Sequence, residues 1–176
     1  MILYPNNPVR VDPLKNFKFK VAWDGQYVLG AASVSALTRK TEVIKHRAGG
    51  VMSTKYSSPG LNEYDPVTIK NGVTMDRTFY QWAGKVWAPS NQFGMEVSLK
   101  DFRKNITLEV YNEAGQLAIA YTLYNSWPSE FQAQADLDAN TGGILFQHLK
   151  LEIEGFDIDV TVQPAAEPSF VIPSGA

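Results

Sequence analysis

HRAGGVMSTKYSSPGLNEYDPV, residues His46 to Val67, is the stretch on which the architecture turns. These roughly 20 residues show no apolar period and carry three glycines and two prolines, whereas most connections in a compact domain run about 4 to 6 residues. A segment of that length is either disordered or reaching for something outside its own domain. Its flanks bear on the choice, because both read as strands.

Upstream, NFKFKVAW (Asn16–Trp23) alternates Phe17, Phe19, Val21 and Trp23 with Lys18, Lys20 and Ala22, the period of a half-buried strand. Asp24-Gly25 tolerates positive φ at both positions, so a hairpin with a type I′ turn is expected, and QYVLGA resumes the extended pattern. Ser33–Leu37 and Arg39–His46 read as further strands. Downstream, Val67–Lys70 is a short strand closed by Asn71-Gly72. One helix follows over 75–88: Thr74 or Asp76 can cap it, Phe79, Trp82, Ala83, Val86 and Trp87 share one stripe, and Pro89 ends it. A lone helix with that stripe covers the mouth or flank of a sheet.

In the second half, Phe102, Ile106, Leu108 and Val110 share one strand face while Arg103, Asn105, Thr107, Glu109 and Tyr111 share the other. NEAGQ turns into LAIAYTLYNSW, with Leu117, Ile119, Tyr121, Leu123 and Trp127 in phase. Pro128–Gly143 reads as an irregular connection, and ILFQHLKLEIEGFDIDV as a last strand with Leu145, Leu149, Leu151 and Ile153 inward. The expected fold is mainly β: an antiparallel β-barrel or two-sheet sandwich with one flanking α-helix and a long protruding loop. It occupies one domain over 1–160, and the proline-rich 161–176 is a flexible C-terminal tail. Long ribbons leave edges, and edges invite pairing with another chain.

Composition narrows function. A chain of 176 residues with 44% hydrophobic and 12% aromatic content can build one sizeable core. A net charge of -2 gives no general attraction to phosphate, and no apolar run approaches the roughly 20 residues that span a membrane, so no membrane insertion is expected. MILYPNNPVRVDP carries three prolines and no apolar core, so it does not read as a secretory signal, and synthesis in the cytoplasm is expected. With no cysteine there is no disulfide, thiolate nucleophile or sulfur-bound metal. Residues 1–55 hold nine Lys or Arg against Asp12, Asp24 and Glu42, a balance of +6, which leaves -8 for the rest. Either surface charges cluster by chance or the molecule has unlike faces that meet head to tail.

Catalytic and metal signals are weak. His46 and His148 each sit in strand patterns, His148 in phase with Lys150, Glu152 and Glu154 on a polar face. No GxSxG, GxGxxG or GxxxxGK[ST] occurs. In DLDANTGG, Asp136, Asp138 and Asn140 hold positions one, three and five of a calcium loop, but Thr141 replaces the glycine and Gln147 the final Glu, so a polar turn is the simpler reading. Glu152 and Glu154 alternate on one face without a nearby sugar platform, which reads as a solvated face. No cofactor, metal or enzymatic activity is expected. The rival class is a small-ligand or carbohydrate-binding β-barrel using Trp23, Trp82, Trp87 or Trp127, although the first three fit core positions.

DPLKNFKFKVAWDG, VSAL (34–37), EVIKHRAGG, SPG, TIKNGVTMD (68–76), VSLKDFRK, LEVYNEAGQ, WPSEFQAQADLDAN and QHLKLEIEGFD, in order from Asp12 to Val160, resemble tail tube proteins. The likeness is to those of contractile phage tails and phage tail-like injection systems, above all the inner tube subunits of extracellular and membrane- or thylakoid-anchored injection particles. The resemblance implies a structural, non-enzymatic subunit that forms six-fold rings stacked into a hollow tube. Its implied partners are copies of itself, a sheath, a baseplate, tube-capping proteins, and a cargo protein in the lumen, or DNA in a phage. It also implies an extended loop reaching a neighbouring subunit. His46–Val67 is then an arm, with Val51, Met52, Tyr56, Leu61 and Tyr64 as its contacts. A channel must stay wet, so the polar alternates Arg103, Asn105, Thr107 and Glu109, and Lys150, Glu152 and Glu154, are the candidates for facing the lumen.

Overall fold

The computed structural model of the chain describes residues 13–28, 30–47, 49, 55–86, 99–138, 140 and 142–163. Alternating apolar residues form β1 (Phe19–Trp23), which buries Val21 and Trp23. Asp24 and Gly25 have φ of 52° and 74°, the turn that sends β2 (Gln26–Tyr27) straight back onto β1. Phe17, expected inward, precedes the strand and is 63% exposed.

The chain continues through β3 (Ala31–Val34), β4 (Arg39–His46), β5 (Tyr56–Tyr64), β6 (Val67–Gly72), α1 (Thr78–Val86), the short α2 (Leu99–Phe102), β7 (Lys104–Tyr111), β8 (Leu117–Gln132), β9 (Phe146–Glu152) and β10 (Gly155–Ile158). All pairings are antiparallel. A first sheet runs β2-β1-β7-β8-β10 on the early part of β8, and a second runs β8-β9-β6-β3 on its late part. Their inner faces enclose one core, with Val21, Trp23, Ile106 and Leu123 from the first sheet and Val67, Ile69, Leu149 and Leu151 from the second. The molecule is thus a two-sheet sandwich of the expected class.

Helix α1 adds Phe79 and Trp82 to that core. Asp76 caps it by accepting the Thr78 N–H at 2.9 Å. The Trp82 indole N–H donates to the Phe102 carbonyl at 2.7 Å, and its ring lies 4.9 Å from that of Trp23. One buried aromatic therefore fastens the helix both to β1 and to the entry of β7.

Four expectations need correction. The connection expected from Pro128 begins only after Gln132, because β8 runs through the proline at a register shift between Pro128 and Glu130, where the ladder tolerates a missing N–H. Asn125, at φ 51°, also slips the phase: Leu123 is buried before it, Ser126 and Pro128 after it, and Trp127 lies half-buried beside Phe102 at 6.2 Å. The expected last strand breaks opposite that bend, into β9 and β10.

The fourth correction concerns His46–Val67. Most of its second half is strand: β5 pairs with β4 from His46↔Tyr56 to Arg39↔Tyr64, as a two-stranded sheet of its own. Its pattern carries no period because, among the described residues, no other strand or helix packs broadly on either face of this ribbon.

Candidate assembly surfaces

The second half of the stretch expected as an arm, His46–Val67, lies in the β4–β5 ribbon. All eight residues of β4 are exposed, and among the described residues no other strand or helix packs broadly on the pair. The ribbon is held internally by a Thr41 hydroxyl bond to Asn62 at 2.5 Å and by His46 stacked on Tyr56 at 5.6 Å. A bulge between Thr41 and Val43 brings Gly60 so close to Glu42 and Ile44 that an added Cβ would meet their side chains at 3.1 Å, and a larger residue there would push them back by a few tenths of an ångström. Ile44, Tyr56 and Leu61 (79% exposed) lie on one face, because the bulge shifts the phase of β5 between Pro59 and Asn62, while Val43 (56%) lies on the other.

Tyr64 sits differently. At the root of the ribbon it is half-buried, its ring edge 5.7 Å from Phe156 and packed over Gly155. Lys40 pairs with Asp65 at 2.7 Å, and the Asp65 N–H bonds the Thr38 carbonyl. Tyr64 thus anchors the ribbon on its own sandwich, while Tyr56 and Leu61 lie exposed along it. Val51 and Met52 lie outside the described residues. Val43 and Ile44 were read as ordinary strand residues, and nothing local marks them as uncovered.

The two polar rows occupy the outer faces of different sheets. Asn105, Thr107 and Glu109 line the first sheet beside Lys20, Ala22 and Tyr27, and Lys150 and Glu152 line the second beside Thr68, Lys70 and His148. Because both sheets turn their inner faces to one core, these rows look away from each other. Arg103 and Glu154, from different rows, meet at the bend in a 2.8 Å ion pair; Asn125 donates to Glu154 at 2.6 Å and takes the Asn105 side-chain oxygen on its N–H at 3.0 Å.

Glu109 accepts the Tyr111 hydroxyl at 2.5 Å and the Tyr27 hydroxyl at 3.4 Å. The Lys20 ammonium lies 4.9 Å from the Tyr111 ring and 5.0 Å from that of Tyr27. The bond to Glu109, with burial second, raises the Tyr111 pKa well above the usual phenol range.

Of the tryptophans proposed as a sugar platform, Trp23 and Trp82 are buried in the core, Trp127 is half-buried against Phe102, and Trp87 lies outside the described residues. His148 stands 3.4 Å from Glu130 on the outer face of the second sheet. In the DLDANTGG stretch, Asp138 accepts the Asn140 N–H at 2.9 Å, the short-range bond of a polar turn.

The sandwich leaves Val43, Ile44, Tyr56 and Leu61 exposed on a ribbon that no other described strand or helix covers broadly, and the described residues offer no cluster of catalytic side chains beside it. The model of the T4-like virus tail tube protein gp19 family matches residues 15–157, and the chain belongs to that family. It is accordingly a tail tube structural protein rather than an enzyme, a component of a phage tail or tail-like particle. Comparison with curated proteins gives no match.

Solved structures of similar fold include a chain of the anti-feeding prophage cap (AFP tube terminating cap), at TM-score 0.72 and 22% identity, covering 94% of this chain and 100% of that one. A chain of the PVC sheath–tube complex in the extended state, from an extracellular contractile injection system, aligns at TM-score 0.68 and 21% identity, covering 84% and 91%. Hcp1 from Flavobacterium johnsoniae aligns at 0.51 and 13%, covering 81% and 94%.

Proposed function

We propose that the chain is the inner tube subunit of a contractile injection particle, closing into hexameric rings that stack around a cargo channel, with the β4–β5 arm as a contact between subunits. The arm carries this reading. A two-stranded ribbon is at best marginally stable alone in water, yet this one exposes Val43, Ile44, Tyr56 and Leu61 over both faces. Another chain that covers them stabilises the ribbon, and a contact joining two different surfaces generates rings or stacks. Val51 and Met52 belong to the same arm and extend the contact.

A sheath, a baseplate and a cap are the partners such a tube takes. The named assemblies of similar fold, an extracellular injection system and an anti-feeding prophage, support a protein cargo over DNA. The test is negative-stain microscopy of the purified chain beside a variant in which Glu42–Leu61 is replaced by Asn-Gly. Tubes from the wild type and a folded, unassembled variant are expected. Normal tubes from the variant would overturn the role of the arm, and uniform wild-type monomers at high concentration would favour a ligand-binding module.

Of the two polar rows, that of the first sheet suits a channel wall. Lys20, Arg103, Glu109 and Glu154 are each engaged by a neighbour, leaving a wet surface with few charges ready to grip a passing chain. Lys70, Lys150 and Glu152 on the second sheet have no ion-pair partner among the described residues. Because the chain has no cysteine, single cysteines can report this. Thr107→Cys in assembled tubes should resist a bulky maleimide while Lys150→Cys reacts; the reverse pattern would assign the channel to the second sheet.

A further inference from the structure

We infer that the arm of one copy docks by its basic distal end onto the acidic turn that closes the β8–β9 ribbon of a second copy. This rests on the tube-subunit reading and adds to it the receiving surface. From Val43 to Gly60 the sequence has Lys45, Arg47 and Lys55 and no Asp or Glu. From Phe131 to Leu149 it has Asp136 and Asp138 and no Lys or Arg. The β8–β9 ladder continues beyond its strands through the Ala135 N–H to the Phe146 carbonyl at 3.0 Å, so the described residues 136–138, 140 and 142–144 lie past its distal end.

Each end also exposes apolar surface that matches the other. The arm offers Ile44 and Tyr56; the turn offers Leu137, 71% exposed, and Ile144, 76% exposed. Lys45, Lys55 and Asp136 have no ion-pair partner among the described residues. Like ends repel and unlike ends attract, so the pairing is head to tail and disfavours arm-to-arm association.

Within one copy the two ends are kept apart. The arm's root lies at Phe156 and Gly155, and Gly155 pairs with Tyr124. The turn follows Gln132, roughly 25 Å further along β8 at the usual strand rise. Among the described residues no ion pair joins Lys45 or Lys55 to Asp136 within one copy, so the contact is assigned between copies.

A charge exchange in the full chain tests this. Four forms are compared at low salt by pelleting and negative stain: wild type, Lys45→Glu with Lys55→Glu, Asp136→Lys, and the combination of all three. Each one-sided reversal should lower the pelleted tube fraction about tenfold, and the combination should restore most of it. Rescue also shows that the reversals left the fold intact. Wild-type pelleting by Asp136→Lys, or a combined form no better than the one-sided ones, overturns the contact while leaving the tube reading standing. A wild type that never assembles overturns the tube reading itself.

Discussion

β9 and β4 are of similar length, and each mixes aliphatic with charged residues, yet β9 buries every second side chain and β4 buries none. Neighbours make the difference. β9 lies between β6 and β8 over a core closed by α1, whereas β4 has only β5 beside it. The free energy that holds β9 is gained when the chain folds; much of what would hold β4 is gained only when another surface covers it. Alternation in a strand sequence therefore reports burial on one side rather than extension as such.

The contrast breaks if core and arm substitutions behave alike. Trp82→Ala removes a fully buried indole, its bond to Phe102 and its contact with Trp23, and should cost about 3–5 kcal/mol in urea unfolding of the monomer. A loss near zero would show that the helix is not part of the core. Asp76→Ala removes the α1 cap and should cost about 1 kcal/mol by the same measurement.

Leu61→Ser and Val43→Ser, on the arm, should leave monomer stability within about 0.5 kcal/mol while lowering tube yield. Destabilisation on the scale of Trp82→Ala would mean that the arm packs on its own sandwich.

The smallest effect expected is on titration. Glu109 holds the Tyr111 proton, so the folded pKa lies above the unfolded value of about 10. The stabilisation is then complete below about pH 10 and is lost as pH rises through the raised value. Phenol absorbance titration should show a late-ionising group that disappears in Tyr111→Phe and moves down in Glu109→Gln. An unchanged late ionisation in Glu109→Gln would remove the carboxylate as its cause.

What could be read beforehand follows the same division. The β1–β2 turn was legible because Asp24-Gly25 is a local signal, and α1 because Phe79 and Trp82 repeat at helical spacing after a capping Asp76. β5 was not legible, since YSSPGLNEY has no covered face to impose a period. The run of β8 past Pro128 was hidden by the proline and by the phase slip at Asn125. Of the assembly residues, Tyr56 and Leu61 could be picked as apolar surplus, but the anchoring of Tyr64 on Phe156 and the meeting of Arg103 with Glu154 join positions far apart in the chain.

The 16 residues of β8 belong to both layers of the sandwich. Layers that adhere only through side chains can be prised apart along the plane between them; here a covalent backbone crosses that plane. Sliding of one layer over the other is opposed by that continuous strand as well as by side-chain packing in the core. In the proposed stack, each unit is tied across its own layers by backbone, whereas successive units are joined by side-chain contacts alone.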